Sequence, residues 1–163
     1  MMGHSHALIG LGAAVAINAA HPYIPHGLLP VAGCLTLSVI GGLLPDIDAP
    51  RSEISEKVGC LGWFIRLFIK HRGPTHEPIV AVLLLVLCWR TPYLFALALG
   101  YASHLLADGL TKEGLPLFHR WRLHLLPKFA RFTTGTLPEY LICVAVGVWL
   151  WLYTWPLIQH IRL

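Results

Sequence analysis

Residues 27–48 read GLLPVAGCLTLSVIGGLLPDID. Positions 27–44 carry no charge, and the run approaches the roughly 20 helical residues needed to cross the hydrocarbon core of a bilayer. It stops at Pro45 and is followed at once by Asp46 and Asp48. An apolar span that ends on two carboxylates raises two questions. How many such spans does the chain have, and which other charged groups gather at the same end?

Four more apolar segments lie on either side, at about 4–20, 76–89, 92–107 and 137–158. The second and fifth have full spanning length. The others are short and must borrow flanking residues or thin the bilayer locally. Breakers separate them. HPYIPHG at 21–27 divides the first two, and Arg90-Thr91-Pro92 makes a tight hairpin between the third and fourth. On the opposite side the connections are long, roughly 45–75 and 108–136. In the first, Leu61, Phe64, Ile65 and Phe68 share one helical face while Arg66 and Lys70 take another, which is the pattern of a helix lying in the interface. The second, FHRWRLHLLPKFARF at 118–132, is basic and aromatic and suits the same place. The expected architecture is all-α: a multi-pass transmembrane helical bundle of about five helices, with interfacial helices on the cytoplasmic side. It forms a single integral membrane domain over 1–163, and a bundle with one re-entrant segment is the alternative. The first segment lacks a basic leader and runs straight into the second, so it reads as a retained helix and not as a cleaved signal.

Composition agrees. Of 163 residues, 56% are hydrophobic and 12% charged, with mean hydropathy +0.65; soluble domains carry about 25% charged residues. Outside 118–132, which reads as interfacial, no basic run or basic-aromatic stripe of the kind that grips nucleic acid is present, so no nucleic-acid partner is expected. Cys34, Cys60, Cys88 and Cys143 form no C-x-x-C pair and read as small buried hydrophobes. Of the basic residues, all but Arg90 and Arg162 fall in the two long connections. The positive-inside rule makes that side cytoplasmic, with the N-terminus inside and the C-terminus outside.

Placing the candidate ligands on this topology gives the main result. His4 and His6 begin segment one, and Asp46 and Asp48 end segment two. His71 and His76 precede segment three, in HRGPTHE; His104 and Asp108 end segment four, in SHLLAD; and Glu139 begins segment five. In an up-and-down bundle all of these meet at one membrane face. Clustered carboxylates repel one another or take up protons, and ionisable groups at the membrane boundary are costly and tend to be functional. A divalent cation relieves both costs. Imidazole and carboxylate ligands suit zinc, manganese or iron. His104 and Asp108, four residues apart, share a helix face. The candidates outnumber one tetrahedral site, so two or more ions are expected.

Each piece also has a plain reading. LPDIDAPRS can be a helix stop, His104 and Asp108 a buried ion pair, and Glu139 a first-turn carboxylate on the helix dipole. Glu77 can be a ligand, a base or a solvated residue. His119 and His124 fit an interfacial segment, whereas His21, His26 and His160 map to the far side. Arg72 and Arg122 can hold a phosphate or anchor the chain at headgroups.

The order H-A near the start, LPDID, HRGPTH, SHLLAD and a closing T-G-x-x-x-E resembles the LexA-regulated, membrane-bound metal-dependent hydrolases, also called YdjM-like proteins, over nearly the whole chain. The resemblance implies an inner-membrane protein with metal-dependent hydrolase activity, more remotely similar to the zinc-dependent phospholipases C. It also implies ligands at His6, Asp46, Asp48, His71, His76, His104 and Asp108, with Glu139 a further candidate. Glu77 departs from the family pattern, which usually has Ser there.

The expected function is hydrolysis of a phosphoester on a lipid or lipid-linked phosphate at the cytoplasmic face. Asp48 or Glu77 is the candidate base, and Arg72 or Arg122 stabilises developing charge. The alternatives are a non-enzymatic, metal-stabilised interaction subunit and a metal transporter. A transporter should carry its ligands near the midplane.

Overall fold

The computed structural model describes residues 1–49, 52, 54, 74–117 and 121–161, with the backbone alone for 156–161. Among these, five α-helices follow in chain order: α1 Gly3–Ala20, α2 Leu28–Leu43, α3 Pro78–Cys88, α4 Pro92–Gly109 and α5 Leu137–Ile161. They match the five apolar segments closely. Pro78 and Pro92 stand in the first turns of α3 and α4, where a missing N–H costs nothing. Among the described residues, two stretches are long and apolar enough to cross a membrane, Leu28–Asp48 and Leu137–Trp155. The Pro78–Cys88 helix is apolar but shorter.

Helices α1, α2 and α4 pack on one another; α3 lies against α4, and α5 against α1. The α1–α2–α4 contact is made of small residues. A Cβ at Gly100 would run into the Ser38 carbonyl, and one at Gly41 into the Leu97 carbonyl. A Cβ at Gly42 would lie 2.7 Å from the His6 carbonyl oxygen, and one at Gly10 would lie 2.9 Å from that of Ser38. Backbones this close gain dispersion contacts that bulky side chains would prevent, which is how helices associate where lipid removes the hydrophobic drive. The Ser38 hydroxyl adds a bond to the Gly10 carbonyl at 2.7 Å.

Helix α2 does not simply end. Pro45 has no N–H to continue the ladder, and the chain tightens into a 3-10 turn over Leu44–Asp48. A second 3-10 turn, Pro74–His76, leads into α3. Interfacial helices were expected on both long connections. The amphipathic stretch with Leu61, Phe64, Ile65 and Phe68 lies outside the described residues. In the second connection the described part forms an antiparallel hairpin, β1 Leu115–Leu117 with β2 Trp121–Leu123, followed by a short 3-10 turn at Lys128–Ala130. The reason is local. Gly114 has φ +64°, and Pro116 and Pro127 would each break a helix.

Candidate metal centre

The end of the molecule where α1 begins and α2 and α4 finish gathers the predicted donors. His6 comes from the second turn of α1, Asp46 from the turn after α2, His76 from the turn before α3, and His104 and Asp108 from the last turns of α4. Two groups of donors have ligand atoms all within 4.8 Å of one another: His6, Asp46 and His104, and His76, His104 and Asp108. His104 belongs to both. Its Nε2 lies 3.8 Å from Asp46 Oδ1 and 3.8 Å from Asp108 Oδ2. His76 Nε2 is 3.5 Å from Asp46 Oδ1, and His6 Nε2 is 3.4 Å from Asp108 Oδ1. The His6 and His104 rings stack, with centroids 3.6 Å apart. His6, His76, His104 and Asp108 are at most 2% exposed; Asp46, at 19%, is the donor that faces outward. The Met1 ammonium also lies 2.6 Å from Asp108 Oδ1.

The surroundings fix which ring nitrogen points inward. His104 Nδ1 is 2.7 Å from the Gly42 carbonyl. A carbonyl only accepts, so Nδ1 carries the proton and Nε2 presents its lone pair to the cluster. The Gly42 carbonyl is available because the last turn of a helix leaves carbonyls without an in-helix partner. At His76 a relay does the same work. The Thr75 hydroxyl donates to Asp48 Oδ2 at 2.7 Å and lies 3.1 Å from His76 Nδ1. Having given its one proton to Asp48, it accepts from Nδ1–H, and His76 Nε2 is turned toward Asp46. The Tyr101 hydroxyl donates to the Thr75 carbonyl and holds the turn.

These residues fit a divalent metal on their own terms. Both an imidazole and a carboxylate donor stand in each group, and His6 Nε2 and His104 Nε2 are buried with no hydrogen-bond partner among the described residues. Buried polar atoms in that state are rare and call for a ligand or ion to complete them.

Other predicted site residues fall elsewhere. Asp48, buried at 1% exposure, is committed to Thr75 and stands outside both donor groups. Glu139 is brought into neither group. Its Oε1 accepts from the Met2 N–H and its Oε2 from the Gly135 N–H, each at 2.7 Å, so it ties the head of α5 to the start of α1. Glu77 is half-buried at the head of α3, next to His76 but outside the donor groups. Arg122 lies on the exposed hairpin and donates to the Glu113 carbonyl at 2.8 Å. His4 is exposed on the opposite side of α1's first turn. His71, Arg72 and His119 lie outside the described residues. Sequence reasoning missed Thr75, Tyr101 and the Gly42 carbonyl. Thr75 lies inside the quoted HRGPTH motif and was within reach, whereas a backbone carbonyl leaves no residue signal.

The sequence pattern of the family described as YdjM inner membrane protein matches residues 1–160. The chain belongs to the YdjM family. It is 35% identical over 126 residues to the inner membrane protein YdjM of Escherichia coli (strain K12) and equally to that of Shigella flexneri, covering 69% of this chain and 62% of theirs. The match thus spans under two thirds of those relatives' length. The protein YvsG of Bacillus subtilis (strain 168) is 28% identical over 149 residues, 87% of each chain. No solved structure matches. YdjM membership and the two apolar spans support a location in the bacterial inner membrane.

Proposed function

We propose that the chain is a multi-pass, membrane-bound, metal-dependent hydrolase: a phosphoesterase acting on a lipid or lipid-linked phosphate at the cytoplasmic face. One observation carries this reading. Five buried or half-buried donors from four separate segments form two groups that share His104, and the Nε2 atoms of His6 and His104 are buried with no hydrogen-bond partner among the described residues. The donor set is of the kind that the remotely similar zinc-dependent phospholipases C use.

Zinc is the first candidate, with manganese and iron next. An imidazole nitrogen has one lone pair, so His104 serves one ion only. A second ion would draw on His6 or His76 together with Asp46 or Asp108. When bound, such ions activate water near neutral pH and polarise phosphoryl oxygens. The chain's own residues do the rest. Gly42 and the Asp48–Thr75 pair hold the imidazoles in one tautomer and orientation, and the packed helix ends exclude bulk water. Asp46 marks the open side. Glu77 is the better base, because Asp48 is already engaged by Thr75; Arg72, close to His76 in sequence, is the preferred partner for phosphate charge. The substrate is read as lipid because the donors lie at helix ends, where headgroups sit. The same placement argues against transport, which favours midplane sites.

The test is metal analysis of the purified protein beside His104→Ala and His76→Ala, coupled to phosphate release from lipid phosphates. Stoichiometric metal in the wild type that is lost from both variants, with release lost in parallel, is the expected outcome. No bound metal in the wild type would sink the reading. If chelation unfolds the helices and no lipid phosphate is ever hydrolysed, the metal-stabilised interaction subunit takes its place.

A further inference from the structure

An apolar groove of about 440 Å³ runs between α1, α4 and α5. Ile9, Ala13 and Ala16 line it from α1, Leu106 from α4 and Leu110 from just beyond its end, and Val146 from α5. Its volume falls in the range of small-molecule sites, about 300–1,000 Å³. The one hydroxyl in the lining, on Ser103, is already given to the Gly100 carbonyl at 2.7 Å, which leaves the Trp149 indole N–H as the other polar side-chain group of an otherwise apolar wall. Only 6% of the Leu137–Trp155 span is buried within the molecule, and Leu106 and Trp149 on the groove's rim are 58% and 39% exposed. In a membrane protein this rim faces hydrocarbon.

The groove and the donor cluster share two helices. Ile9, Ala13 and Ala16 continue the face of α1 that begins at His6, and Ala107, also in the lining, precedes Asp108. Met1 stands at the junction: it belongs to a buried cluster with Ala107 and Phe132, against which Ile9, Leu110 and Ile142 pack, and its ammonium meets Asp108. A molecule lying in the groove with a polar head at that junction would have an apolar tail in the bilayer plane and a charged group beside His6, His104 and Asp108.

We infer that this groove is the chain-binding subsite for one membrane lipid, whose acyl or prenyl tail lies along α1, α4 and α5 and whose phosphate-bearing head displaces Met1 to reach the donors. The inference rests on the phosphoesterase reading and assigns its substrate a tail site. The occupant is hydrocarbon because the lining is almost wholly apolar, the rim opens to lipid, and the groove runs along the two helices that carry His6, His104 and Asp108.

The test uses the full chain in phosphatidylcholine nanodiscs with phosphatidic acid carrying a diazirine midway along one acyl chain. Saturable photolabelling should concentrate on the segments Ile9–Ala16 and Ile142–Trp149. Unlabelled phosphatidic acid should compete, and glycerol phosphate should not. Ala16→Phe, at an exposed position, should fill the end of the groove farthest from the donors and reduce labelling about tenfold. Val146→Phe serves as the second filling variant, and unfolding temperature reports whether each folds. Labelling spread evenly over all lipid-facing helices and indifferent to both variants would overturn the inference, as would cross-links showing another part of the chain or a second copy in the groove. The readout needs no turnover. Saturable labelling without phosphate release keeps the groove and removes the hydrolase reading; release from glycerol phosphate at the lipid's rate, with an unlabelled groove, does the reverse.

Discussion

His104 shows how much one side chain can be asked to do. Its Nδ1 is tied to the Gly42 carbonyl, and its Nε2 is the corner shared by both donor groups. The relay behind His76 makes a parallel and sharper prediction. Thr75→Val removes the hydroxyl that links Asp48 to His76 and should weaken metal binding by about 10–100-fold, the usual cost of losing an outer-shell partner, while Thr75→Ser should restore it. A metal titration in which Val and Ser variants behave alike would show that the hydroxyl does not position the ring. Glu139 offers the contrasting case. Both its oxygens accept backbone N–H groups, so Glu139→Gln turns one accepting oxygen into a donor. The expected loss is about 1.5–3 kcal/mol of stability with metal stoichiometry unchanged; a variant that keeps its stability but loses metal would return Glu139 to the ligand set. From the sequence, His6, Asp46, His76, His104 and Asp108 could be read as a group, because topology alone brings odd beginnings to even ends. The duties of Asp48 and Glu139 could not, because a carboxylate bound to a hydroxyl or to amides looks the same in a sequence as one waiting for an ion.

Among the elements, the helices were legible and the connections were not. Apolar runs bounded by Pro45, Pro78 and Pro92 mark α2, α3 and α4 to within a few residues. The hairpin at Leu115–Leu123 escaped, because a basic-aromatic run of that length suits an interfacial helix or strand equally until Gly114 and Pro116 are weighed. Small residues decide how the helices meet. Gly100→Ala forces a Cβ against the Ser38 carbonyl and should cost about 1–3 kcal/mol as overpacking. Gly147→Ala, where nothing lies within 4 Å, should be neutral or stabilising by about 0.5–1 kcal/mol through helix propensity. Thermal unfolding in nanodiscs compares them, and equal behaviour would mean that the α2–α4 contact is looser than described.

For the whole molecule, polarity is the organising fact: donors at one end, and breaker-rich loops with exposed His21 and His26 at the other. On the proposed five-span topology, with the basic residues on the donor side, a periplasm-active alkaline phosphatase fused after residue 163 should be active, and the same reporter inserted at residue 113 should be silent. The opposite pattern would put the donor end outside and remove the cytoplasmic assignment.

The crossing of Gly10, Ser38, Gly42 and Gly100 lies one to two turns from the donors, and its backbones touch without intervening side chains. Such contacts are broken only together, so this region should open last and its amides should exchange with deuterium most slowly. An ion held by His6, Asp46 and His104 would then rest on helix-borne rings that hold still, while its flank at Asp46 stays open to water and to chelators. Metal should therefore be stripped without opening the crossing, at a rate that rises with chelator concentration and leaves the slow amides protected.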